Sequence, residues 1–308
     1  MFDLNVPWPV SNYNVKPTPQ QLTQLINTIA TLYTLGYRYV AINFTLDEKI
    51  KLPNGPINPI DIQLLRARLS KYEGLKLFTR LTLIIHDPSQ CQGLAKLQSC
   101  FDILAVNPIT EKALQLATSN LDIDLVSLNF GSRLPYFLKH KTVGSAIEKG
   151  ILFEICYSYV ISGPAGYTLS QSNDSLNLAS SALLIRKNFF NNVLQLIRAS
   201  RSRGLVISSG ATQPLQARNS VDVITLMKTL GMDHGRAKHF MTKNPENALR
   251  NGRLRIKSNK QTVIIDNRGD VLIDNQFEDP LKKGDTNAYK KKLDDTSSGR
   301  LLKKHKPN

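Results

Sequence analysis

The sequence predicts an α/β fold of the TIM-type (β/α) barrel class, irregular or incomplete at its last strand. Seven short apolar runs rich in β-branched residues alternate with longer stretches of i, i+3, i+4 apolar spacing, the pattern of βαβ units around a parallel sheet. Glycine ends four of the helical stretches just before the next strand, at Gly36, Gly74, Gly150 and Gly204. No G-x-G-x-x-G follows the first strand, which argues against a doubly wound open sheet.

The elements follow in order. Phe2 to Val6 is the first strand, and Leu22, Leu25, Ile26, Ile29, Leu32 and Leu35 mark one face of the helix behind it. Tyr39 to Phe44 is the second strand. Pro59-Ile60-Asp61 opens a helix carrying Ile62, Leu65 and Leu69, because proline is pre-set for the first turn and aspartate caps it. The third strand is Leu77 to Ile85, and Asp87-Pro88-Ser89 opens another helix. Ile103 to Val106, Ile123 to Leu128 and Leu152 to Tyr157 are strands four to six. Residues Ser158 to Ser181, rich in Ser, Gly and Asn, read as an inserted loop. Val193, Leu194 and Ile197 mark the helix before the seventh strand, Leu205 to Ser208, and Val221, Ile224, Leu226 and Leu230 the one after it. Where an eighth strand belongs, Gly231 to Leu249 reads as short helices, so barrel closure is expected to be irregular. Residues 1 to 256 are the barrel domain. From 257 the periodicity fades into KKGD, YKKKLDD and LLKKHKPN, a mostly disordered basic tail.

With 308 residues and 41% hydrophobic content the chain can bury a large core. It shows no signal-peptide pattern at its start and no run of roughly 18 apolar residues, so it is expected to be soluble and not secreted. Cys91, Cys100 and Cys156 form no C-x-x-C, which disfavours zinc or dithiol chemistry and fits a reducing compartment. The net charge is +16, and residues 255 to 308 hold thirteen Lys/Arg against eight Asp/Glu, so +11 resides on residues 1 to 254. A cationic folded surface selects polyanions, and without a basic amphipathic helix carrying an aromatic face, nucleic acid leads over membrane.

A barrel presents its chemistry at the C-terminal strand ends. Those positions supply Asp3, Asn5, Asn43, Arg80, Asn107, Glu154 and Tyr157, a polar pocket too poor in carboxylates and imidazoles for a two-metal hydrolytic centre. No catalytic residue and no metal set is assigned. The alternative is a metal-dependent phosphoesterase of barrel type using Asp3, Asn43, His86 and Glu154. G-x-S-x-G, H-E-x-x-H and Walker patterns are absent. Ser208-Ser209-Gly210 is either a phosphate-holding turn or a plain βα turn. The positive features are basic clusters: Arg133, Lys139 and Lys141 beside Tyr136 and Phe137; Arg198, Arg201 and Arg203; and Arg250, Arg253 and Arg255. With Arg218, these are the expected RNA contacts.

F-D-L-N-V-P-W-P at the start, L-G-Y-R-Y-V-A-I-N-F, and L-D-I-D-L-V-S-L-N-F-G-S-R-L-P resemble the thirty-kilodalton barrel-type protein subunit of nuclear ribonuclease P and ribonuclease MRP in its fungal form. F-E-I-C-Y-S at 153–158, S-R-S-R-G-L-V-I-S-S-G-A at 200–211, P-L-Q-A-R at 214–218 and N-G-R-L-R at 251–255 continue the resemblance. It implies a relative of the polymerase-and-histidinol-phosphatase barrels whose metal motif is lost. Asp3-Leu4-Asn5 stands where those enzymes have H-x-H, and Ile42-Asn43-Phe44 where they have a T-D-H-like set. The family further implies an RNA-binding, non-catalytic subunit of a ribonucleoprotein that matures precursor tRNA 5′ ends and processes rRNA. It implies no cofactor on this chain, with magnesium expected on the RNA subunit. The implied partners are the two RNAs, a small ferredoxin-like subunit of the Pop family, other protein subunits and, through the complex, precursor tRNA, with no membrane. The implied location is the nucleus and nucleolus.

Overall fold

In the computed structural model, residues 1–13, 15–47, 58–87, 97–162 and 176–257 are described. Seven strands form one parallel sheet in chain order: β1 Phe2–Pro7, β2 Tyr39–Asp47, β3 Lys76–Ile85, β4 Ile103–Pro108, β5 Leu125–Ser127, β6 Leu152–Cys156 and β7 Leu205–Ser208. These runs are buried along nearly their whole length, because helices cover the outer face of a parallel sheet while neighbouring strands fill the inner one. The helices are α1 Pro19–Thr34, α2 Ile62–Arg68, α3 Glu111–Ser119, α4 His140–Glu148, α5 Ser158–Ser162, α6 Leu176–Ser200, α7 Ser220–Thr229, α8 His234–Phe240 and α9 Lys243–Lys257.

Local chemistry explains where helices start and stop. Thr18 and Gln21 form a reciprocal capping box with Pro19 in the first turn of α1. Asp61 caps α2 by accepting from the Leu64 amide at 2.9 Å. The glycines expected to end helices have φ of 94°, 72°, 90° and 61° at 36, 74, 150 and 204, values that favour glycine. In α1, Leu25, Thr28, Ile29 and Leu32 are buried against the barrel. In α7 the buried stripe is Val223, Ile224 and Met227, whereas Val221, expected on that face, points outward.

The β2–β3 ladder pairs residue for residue from Tyr39–Lys76 to Asp47–Ile84. β5 is shorter than the expected Ile123 to Leu128, because the Asp124 carboxylate accepts the Leu104 amide at 2.8 Å and takes the place of a ladder partner. The inserted loop expected over Ser158 to Ser181 is also corrected. Ser158–Ser162 and the start of α6 at Leu176 are helical; the Leu- and Ala-bearing N-L-A-S-S-A-L-L favours helix over loop. Residues 163–175, the helix expected from Pro88, Cys91 and the tail from 258 lie outside the described residues.

No eighth strand occurs among the described residues. At the seam between β7 and β1, the Gly210 amide donates to the Asn5 carbonyl at 2.9 Å and the Ser209 amide donates to Asp3 Oδ1 at 3.0 Å. Two bonds thus stand in for a ladder. At the other end of the barrel α9 forms a floor, passing under the N-terminal ends of four strands. Asn244 donates to the Leu205 carbonyl at 2.6 Å, Asn251 to the Gly150 carbonyl at 3.4 Å, and Arg255 bonds Asp124 and the Phe101 carbonyl. Gly252 lets the helix come so close that a Cβ would run into the Asp102 carbonyl oxygen.

Candidate functional site

The polar residues expected at the strand ends do come together, inside the barrel. Arg80 on β3 and Glu154 on β6 are fully buried and pair through both guanidinium nitrogens, Nη1–Oε1 at 2.5 Å and Nη2–Oε2 at 2.6 Å. The Arg80 fork is completed by Nη1 to the Leu4 carbonyl at 2.8 Å and Nε to Thr82 Oγ1 at 3.1 Å. Glu154 also accepts from Ser127 Oγ at 2.6 Å and Asn5 Nδ2 at 3.1 Å. The chain continues from Thr82 to Asn43 Oδ1 at 2.7 Å and from Asn43 Nδ2 to Asn5 Oδ1 at 2.8 Å. Five strands are cross-linked by one buried network, where a low local dielectric strengthens each charge-assisted bond. Burial pushes the Glu154 carboxyl up, but Arg80 and Ser127 outweigh it and hold the group below its ordinary range.

Above this network the barrel mouth holds a cavity of about 200 Å³. Its polar walls are amides and hydroxyls, among them Asn5, Asn43, Thr45, Asn107, Ser127 and Asn129, and His86 is not one of them. This donor set does not fit a divalent cation. Both Glu154 oxygens are held by Arg80 and Asp3 Oδ1 is taken by the amides of Asn5 and Ser209; Asp3 Oδ2 is buried without a hydrogen bond but lies outside the lining, and among the described residues no carboxylate lines the cavity. Among the described residues no three His, Cys, Asp or Glu gather at metal-binding spacing. The Ser208-Ser209-Gly210 turn is likewise no phosphate cradle, since both serines are buried and the amides of Ser209 and Gly210 close the seam.

Asp3 behaves differently from its neighbour Glu154. Burial, opposed by its hydrogen bonds and reinforced by the Glu154 charge, raises its pKa to about 6. A folded-state pKa above the ordinary value of 3.8 means that the folded state binds the proton more tightly. The ionisation penalty is therefore full above about pH 6 and gone below about 3.8, so stability falls as pH rises through that window. Asp3→Asn keeps an acceptor for the Ser209 amide and removes the charge. Denaturant unfolding of this variant at pH 4.5 and 7.5 is expected to show a smaller loss between the two than the wild type; an unchanged loss refutes the assignment.

The ten basic residues expected at RNA sort into two groups. Arg133, Lys141, Arg198, Arg201, Arg203 and Arg250 are exposed and make no ion pair among the described residues. Lys139 is exposed but pairs with Glu111 at 2.6 Å. Three others are buried or half-buried. Arg255 is the correction with the clearest cause: its side chain is 5% exposed and ion-paired with the equally buried Asp124, so it pins α9 to the strand ends above it. Arg218 wraps its own turn, with Nη1 bonded to the Leu215 and Ala217 carbonyls at 2.7 and 2.8 Å. Arg253 is half-buried near Lys76, whose pKa is lowered by burial and then by that arginine. Sequence reasoning missed Lys187, Asn191 and Gln195 on α6, which share a groove with Arg133 and Phe137. Their only sequence signal is a polar stripe at helical spacing, ordinary for any exposed helix face.

A seven-stranded barrel, a sealed polar mouth and a helical floor ending at Lys257 coincide in extent with a match to the family described as RNase P subunit p30, over residues 1–257. The chain belongs to that family. It is 42% identical over 313 residues to the ribonuclease P/MRP protein subunit RPP1 of Saccharomyces cerevisiae, with all of both chains covered. It is 32% identical to the ribonuclease P protein subunit p30 of Mus musculus, covering 72% of this chain and 78% of the mouse protein. Among solved structures, a chain of an archaeal ribonuclease P with mature tRNA superposes with a TM-score of 0.53 at 18% identity, covering 83% of this chain and 91% of its own. An amidohydrolase crystal structure gives 0.52 at 8% identity, covering 80% and 73%. At such identities these two speak for the barrel alone. Within the p30 family chain, the strings at 153–158 and 251–255 are β6 with its Glu154 and the close-packed glycine of the floor, so they carry structural duties.

Proposed function

We propose that this chain is a non-catalytic, RNA-binding protein subunit of the ribonuclease P and ribonuclease MRP particles, supporting precursor tRNA 5′ maturation and rRNA processing by stabilising the RNA that carries out the cut. The observation that carries the reading is similarity along the entire length to a ribonuclease P/MRP subunit. The geometry supports it. The carboxylate a hydrolase would offer to a metal is held by Arg80, while six exposed arginines and lysines stand without an ionic partner among the described residues. In this reading magnesium belongs to the RNA, and the neighbours in the particle include a small ferredoxin-like Pop-family subunit. The site of action is the nucleus and nucleolus.

Sequencing RNA that copurifies with the native protein tests the reading, and recovery of neither RNase P nor MRP RNA overturns it. A finer measurement uses Arg201 and Arg203, which follow α6 without acidic partners among the described residues. Each phosphate contact contributes about 0.7 to 0.9 to the slope of log affinity against log salt, so the double Gln variant is expected to flatten that slope by about 1.4 to 1.8. Its melting temperature should barely move, since exposed charges are worth under about 1 kcal/mol. A lower melting temperature with an unaltered slope would instead mean that they serve the helix dipole.

A further inference from the structure

We infer that the groove between the β5–α4 connection and α6 binds an unpaired stretch of RNA, with a base stacked on Phe137. This deepens the RNA-binding reading above and rests on it. Two adjoining cavities of about 690 and 590 Å³ share Phe137, Asn191 and Gln195 as common walls. Phe137 is 81% exposed and, with Leu184 at 56%, puts apolar surface on the groove wall. The rim carries Arg133, Lys187 and Arg198, and among the described residues no acidic one lines either cavity.

The groove is built rather than incidental. The opposite face of α6 buries Phe189, Val193 and Leu196 in the core. Asn188 and Asn192 tie the neighbouring loop down by donating to the carbonyls of Gly131, Phe130 and Ser132 at 3.3, 3.2 and 2.7 Å. Tyr136 is held by its hydroxyl on the Pro108 carbonyl at 2.7 Å, which leaves the next ring, Phe137, turned outward. Asn191 and Gln195 make no hydrogen bond of their own among the described residues, so both amides can meet a ligand. From Leu184 to Arg198 the stripe runs 14 residues of helix, roughly 21 Å at 1.5 Å per residue.

Three cations without an ion pair among the described residues call for an anionic occupant. The exposed ring and two free amides select one with accessible flat faces and base edges. A duplex stacks its bases away from such a ring, whereas a single strand presents them. Single-stranded RNA therefore fits the whole lining, and an apolar protein segment would leave the charges unanswered.

The test measures binding of the full-length protein to a short fluorescein-labelled oligouridylate and to a fully paired RNA hairpin whose strands are joined by a non-nucleotide linker. Stacking of about 1–3 kcal/mol per base corresponds to roughly 5- to 150-fold, at about 1.4 kcal/mol per tenfold. Phe137→Ala should weaken oligouridylate binding by that factor, leave the hairpin affinity unchanged, and keep the wild-type salt slope and melting temperature. The triple variant R133A/K187A/R198A should instead flatten the oligouridylate salt slope by about 2. An unaltered oligouridylate affinity in Phe137→Ala overturns the groove while wild-type RNA binding stands, and equal weakening of oligouridylate and hairpin also overturns it. Impaired assembly of that variant with the particle's protein subunits, at wild-type oligouridylate affinity, would reassign the face to a protein. Failure of the wild type to bind any RNA would overturn the underlying reading as well.

Discussion

Arg80→Met is expected to destabilise the protein by about 3–5 kcal/mol, because it leaves Glu154 charged, buried and without its bidentate partner. The loss should not equal the worth of the pair. In Arg80→Met/Glu154→Gln the charge is gone from both sides, while the glutamine oxygen still accepts from Ser127. More than half of the lost stability should return. Urea unfolding of the wild type, both single variants and the double variant measures this coupling. A single-variant loss under about 1 kcal/mol, or additive losses, would mean that the network around Asn5, Asn43 and Thr82 does not depend on the ion pair.

Arg255→Ala is expected to be comparably damaging, about 3–5 kcal/mol, because Asp124 is buried beneath it. Burial already raises the Asp124 pKa against the pull of Arg255, and removal of the arginine raises it further. With its folded-state pKa above the unfolded value, Asp124 is most costly when ionised, so the variant's deficit should shrink as pH falls from 7.5 towards 5. Thermal unfolding across that range checks the sign. RNA affinity measured well below the variant's melting temperature should stay near wild type, since the guanidinium points into the barrel; a specific RNA defect would return Arg255 to the nucleic-acid surface.

These two arginines show what the chain discloses before folding. All seven strands are legible because burial on both faces forces apolar, β-branched runs, and the helix ends are legible because Asp61 or Gly36 acts within a few residues. Arg80 stands out in the run L-F-T-R-L-T-L-I-I as a charge where none belongs, which marks it as internal but says nothing of its partner 74 residues away. Arg255 gives no such warning: N-G-R-L-R reads as a solvated basic run, and only the close approach allowed by Gly252 turns one guanidinium inward. The groove is hidden for another reason. Its walls come from 133–140 and 184–199, each unremarkable alone, and packing of α4 beside α6 decides that they face each other.

The seam between β7 and β1 decides how this barrel opens. Every other neighbouring pair of strands is held by a ladder, while here the Gly210 amide on Asn5 and the Ser209 amide on Asp3 bridge the gap. Local opening follows the path with the fewest bonds to break, so sub-global unfolding begins by parting these strands into an open, still parallel sheet. Water then reaches Asp3, and its pKa of about 6 relaxes towards 3.8. Because the closed form holds the proton more tightly, rising pH favours the parted form, and the ring is fastened most firmly in mildly acidic solution.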